Sequence, residues 1–119
     1  MKPERKIERY NELRPTNYPV VENMSIDQDL FFDRNMSLSL TLRSRDISTK
    51  NHLELSFSKV RNLQFDPDGS EIRFSLLTIV AVVDDGWEDV RFKVFNDEQD
   101  LEFSFLCDDF EAALVEYHT

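Results

Sequence analysis

Nucleophilic, metal-binding and acid–base chemistry each need particular side chains at particular spacings, and this 119-residue chain offers few of them. It has one cysteine, Cys107, and two histidines, His52 and the penultimate His118. A catalytic thiol needs a neighbouring base or cation to lower its pKa, whereas Cys107 is followed by Asp108 and Asp109, whose charges raise it. Cys107 therefore reads as a structural, buried or half-buried residue. One cysteine and two distant histidines fall short of a zinc ligand set. The segment Asp66-Pro67-Asp68-Gly69-Ser70-Glu71 begins like an acidic calcium loop, but position 77, where such a loop supplies a bidentate Glu, is Leu. The two glycines, Gly69 and Gly86, are isolated, so no glycine-rich phosphate cradle is present. No catalytic residue, cofactor or metal is assigned.

Carboxylates are the one abundant chemical group. The chain holds 24 Asp and Glu against 14 Lys and Arg, a formal net charge of -10. The first fifty residues balance at +1 and the remainder carry -11, with no Lys or Arg after Lys93. That distribution disfavours nucleic acid and anionic membranes, which attract Lys and Arg and repel carboxylates, and leaves cationic protein partners open. Ten Phe and one Trp supply enough apolar area for a folded core, so the acidity does not signal a disordered tail. Met1 to Lys6 is followed by charged residues and not by the apolar run of a signal peptide, and the longest apolar stretch, Leu76 to Val83, is interrupted by Thr78 and too short to span a bilayer. A soluble, cytoplasmic, bacterial-type protein is expected.

Hydrophobic periodicity sets out the helices and strands that carry these charges. Ile7, Tyr10 and Leu13 recur every three residues between Pro3 and Pro15, predicting a short N-terminal helix over about 4–13. Pro15 and Pro19 rule out a helix in the next segment; Tyr18 to Val21 reads as an edge strand, and Leu30, Phe31 and Phe32 as anchors to the core. Ser37 to Leu42 and His52 to Ser58 alternate polar and apolar residues, the period of strands with one buried face. Val60 breaks that frame, so a bulge is expected near Lys59 to Arg61. Ile72 to Val83 ends in a continuous apolar run and reads as a central strand covered on both faces. Val90 to Phe95 and Leu101 to Phe105 alternate again. Asp68-Gly69 and Asp85-Gly86 supply hairpin turns, and Asp108 with Glu111 fits a capping box opening a C-terminal helix, Phe110 and Leu114 packing on the sheet. The expected fold is α+β and mainly β: one domain over 1–119, an irregular N-terminal arm (1–35), a five- to six-stranded antiparallel meander (36–107) forming a half-barrel or sandwich, and a C-terminal helix (108–117).

In a meander alternate turns share an end of the sheet. The turns around Asp66, Asp68 and Glu71 and around Asp97, Glu98 and Asp100 then form one acidic rim with no basic residue inside either turn. The opposite end pairs Arg43, Arg45 and Lys50 with Asp84, Asp85, Glu88 and Asp89. Trp87, at an acidic turn, is either a cap over the core or an exposed binding anchor. The expected function is non-enzymatic binding of a basic protein partner through this rim, the physical design of acidic immunity and inhibitor proteins; no residue motif ties the chain to one such family. Two other classes stay open: an oligomerisation or scaffold module, a homodimer pairing through Ser37 to Leu42 as an edge strand, and a small carboxylate-based enzyme.

Overall fold

The computed structural model describes residues 3–28, 36–46, 48–66, 74, 77–82, 91–96 and 102–116. Helix α1 (Pro3–Glu12) comes first. Pro3 is pre-set for a first helical turn, Glu4 and Arg9 complement the two ends of the dipole, and the chain leaves the helix before Pro15. A single 3-10 turn, Pro15–Asn17, leads into seven strands: β1 (Val20–Gln28), β2 (Met36–Arg43), β3 (Asn51–Asp66), β4 (Leu77–Ala81), β5 (Phe92–Asn96), β6 (Glu102–Cys107) and β7 (Asp109–Glu116).

All pairings among the described residues are antiparallel, in the order β1-β2-β3-β6-β5-β4, with β7 also on β3. The long β3 organises this arrangement. Its first part lies between β2 and β7, and its last part pairs with β6. The inward residues Leu53, Leu55 and Phe57 are spaced by two, whereas Phe57, Val60 and Leu63 are spaced by three. Each three-residue step contains a residue with positive φ, Lys59 at 53° and Asn62 at 56°. The bend expected near Lys59 to Arg61 lies here, beside register shifts in both neighbouring ladders. Strands β6 and β7 follow the same bend, interrupted only at Asp108, whose N–H donates to Ser58 O at 3.1 Å. One sheet is thus folded into two halves that face each other.

Phe rings fill the space between the halves. Phe57 meets Phe105 edge-to-face at 4.8 Å, Phe92 meets Phe110 at 4.9 Å, and Phe74 meets Phe103 at 4.7 Å, geometries that satisfy the ring quadrupoles. Leu38, Leu40 and Leu42 of β2 and Leu53 and Leu55 of β3 complete the core. Helix α1 closes the open side. Tyr10, 1% exposed, packs its ring against Phe110 of β7 and donates its hydroxyl to Leu77 O of β4 at 2.6 Å, so one residue ties the two ends of the curled sheet together.

Several expectations are corrected. Among the described residues the sheet has seven strands, more than the five or six expected, and it is two meanders joined by β3–β6 instead of one continuous meander. The segment expected to be a C-terminal helix over 108–117 is β7. Phe110 and Ala112 face inward in step with Phe57 and Leu55, because the free edge of β3 offers backbone partners that outweigh the helix preference of Glu111, Ala112 and Ala113. Strand β4 is an edge strand with Val80 38% exposed, not a central one. Ser37 to Leu42 lies inside β2, paired on both sides, and so is no edge for a dimer. Strand β1 also extends well beyond Val21, in a stretch whose polar residues hide the strand period. Leu30, Phe31 and Phe32 lie outside the described residues.

Candidate functional site

The bent topology gives one end of the sheet its character. Asp66, the last residue of β3, is the register partner of Glu102, the first of β6, and both are exposed. On the neighbouring strands Leu77 opens β4 opposite Asn96, which closes β5. The connections from Asp66 to Leu77 and from Asn96 to Glu102 therefore start and finish at the same end of the second half-sheet. Of the residues expected on the acidic rim, Asp66 is there; Asp68, Glu71, Asp97, Glu98 and Asp100, and Trp87 with them, lie outside the described residues. Glu102 is an addition. Its sequence signal was present, because it occupies a polar position of an alternating strand just after Asp100, but it reads as a sheet-face residue unless β6 is known to lie beside β3.

The connections expected at the opposite end are separated along the strands. Arg43 pairs with His52 at the start of β3, while the β4–β5 hairpin, closed by the Val82 N–H bond to Arg91 O at 2.9 Å, abuts Cys107. The whole of β7 extends between these two points, so the start of β3 and the Val82–Arg91 closure lie apart; Asp84, Asp85, Glu88 and Asp89 lie outside the described residues. Arg91 instead meets Asp108, at 3.6 Å.

A second polar feature joins α1 to β7. The Lys6 ammonium donates to Asp109 Oδ1 and to Phe110 O at 3.2 Å, with Glu111 Oε1 at 3.5 Å. Burial opposes the charge on Lys6, yet the hydrogen bond and charges of Asp109 and Glu111 hold its pKa above the usual value. Burial likewise works against the Asp109 carboxylate, but Lys6 and the Phe110 N–H at 2.9 Å pull its pKa below normal. A depressed carboxylate contributes stability above its unfolded pKa, and that contribution is lost as pH falls through the folded value; a raised ammonium contributes below its unfolded pKa and loses that contribution as pH rises through its folded value. The pair is thus present between about pH 4 and about pH 10. Asp109 is half exposed, which limits the pair to roughly 0.2–1 kcal/mol. Asp109→Asn is expected to lower the urea midpoint at pH 7 and to leave it unchanged at pH 2; an equal loss at both would remove the ion pair from the explanation.

Beside this contact lies a cleft of about 430 Å³ bordered by Arg9, Tyr10, Leu13, Phe110 and Glu111. Among its described lining residues there is no histidine or cysteine, so no soft metal ligand faces it. Cys107 is wholly buried, and burial, then the charges of Asp109 and Asp108, push its thiol up to about 12, which leaves it protonated at neutral pH. His52 Nε2 lies 2.8 Å from Glu22 Oε2, joining β3 to β1 across β2. Among the described residues no three His, Cys, Asp or Glu side chains converge as a metal site.

The described residues form a bent antiparallel sheet closed by one helix, with Asp66 and Glu102 paired at one end. The family model described as Immunity protein PIM8 matches residues 2–113, and the chain belongs to this family. Membership supports an immunity-like, non-enzymatic role with a protein as partner. No curated protein and no solved structure matched the chain.

Proposed function

We propose that the chain neutralises a basic protein toxin by binding it at the acidic end of the second half-sheet. Membership of an immunity family supports a protein partner, and the Asp66–Glu102 pairing is the observation that carries the position. Asp68, Glu71, Asp97, Glu98 and Asp100 belong to the two connections that join at this end, and they extend the same charge. Between Asp66 and Leu77 and between Asn96 and Glu102 the sequence carries five acids, Asp68, Glu71, Asp97, Glu98 and Asp100, against one base, Arg73, whereas Asp108 and Asp109 are engaged by Arg91 and Lys6. The field of those acids is available to steer a cationic partner and to set its orientation. The test is a titration of the purified chain with the toxin domain encoded beside its gene, followed by calorimetry and by growth of cells expressing both. A stable complex and protected growth are expected; a toxin that the chain neither binds nor restrains overturns the reading.

A further inference from the structure

The two halves of the sheet present different outer faces. On the first half the outward positions are Ser37, Ser39, Thr41, Glu54, Ser56 and Glu111, a polar surface suited to water. On the second half, one row across the strands reads Arg61, Leu106, Lys93, Val80, and the next reads Gln64, Ser104, Phe95, Thr78. Leu106, Phe95 and Val80 thus sit together where a solvated sheet would carry polar residues, and the Lys93 ammonium lies 5.6 Å from the centre of the Phe95 ring. Beyond the Phe95 row come Asp66 and Glu102. On this face the half-buried Phe95 and Leu106 and the exposed Val80 surround the exposed cation Lys93, which stands between Leu106 and Val80 in its row, and the carboxylates of Asp66 and Glu102 lie about 13 Å away along the strands.

Apolar side chains around one cation, with carboxylates along one border, combine the contacts a protein interface uses. We infer that the toxin docks flat on this outer face, with an acidic group on Lys93, apolar side chains against Phe95, Leu106 and Val80 around it, and its cations toward Asp66 and Glu102. Charge complementarity selects this occupant: a second copy of the chain, itself strongly acidic, would bring carboxylates to the acidic end. The inference rests on the toxin-binding reading and adds a face and an orientation to it.

The neighbouring toxin domain is again the probe. Phe95→Ala and the exposed Val80→Glu are each expected to weaken binding about tenfold or more, mainly through faster dissociation. Ser39→Arg, on the polar face, is expected to stay within about twofold. Lys93→Glu fixes the orientation: it makes the chain more acidic, so a partner attracted by net charge alone would bind it more tightly, whereas the docked arrangement predicts weaker binding. Melting curves establish that each variant is folded, and Val80→Glu carries the test if Phe95→Ala is not. Wild-type binding that survives Val80→Glu, or that strengthens in Lys93→Glu, overturns the docking face and leaves the acidic-end reading standing. Absence of wild-type binding overturns both.

Discussion

Phe110→Ala is expected to destabilise the protein by about 3–5 kcal/mol, the range for deleting a large aromatic from a packed core. Phe110 is buried and meets Phe92 of β5 at 4.9 Å and Phe57 of β3 and Tyr10 of α1 at 6.2 Å each. It is therefore the point where β7, the second half-sheet and the helix converge, and its removal opens a void that no one neighbour can fill. Against a typical net stability of about 5–15 kcal/mol the loss is a large fraction. Leu114, on the same strand but 40% exposed, provides the contrast: Leu114→Ala is expected to cost less than half as much. Urea denaturation of the two variants reads both values. Equal losses would mean that the strand is not docked through Phe110.

The second large effect concerns association. Converting Asp66, Asp68, Asp97 and Glu98 to Asn or Gln removes four charges with little change in side-chain volume. Electrostatic steering raises encounter rates by about 10–10³-fold, so the neutralised chain is expected to associate with the toxin about tenfold or more slowly at low salt, with a smaller change in dissociation. The same substitutions lower the net negative charge of the chain and are expected to leave stability unchanged or slightly raised. A slower association that coincides with loss of folding would point instead to a structural role for these turns.

Much of the fold was legible because strand periodicity survives wherever one face is buried. Leu38, Leu40 and Leu42, and Leu53, Leu55 and Phe57, alternate cleanly and are all buried. The shift at Val60 announced the bend that divides the sheet. The misreadings occurred where local signals and tertiary pairing disagree. Asp108, Glu111, Ala112 and Ala113 favour a helix locally, but an unpaired edge of β3 recruits them into a ladder. The apolar run through Val80 suggested a strand covered on both faces, whereas Val80 lies on an exposed face near Leu106 and Phe95. That clustering was invisible in the sequence because it needs the register of three strands at once. For the acidic end, alternation located the turns, and the β3–β6 pairing brought in Glu102.

The most direct measurement is the association rate of the wild-type chain with its neighbouring toxin domain as ionic strength is raised from about 0.01 to about 0.5 M, where the screening length falls well below the size of the charged end. If the acidic end steers a basic partner, the rate falls steeply with salt, and the slope flattens in the chain lacking the charges of Asp66, Asp68, Asp97 and Glu98. A wild-type rate that is independent of salt, or a slope unchanged by that neutralisation, would contradict it.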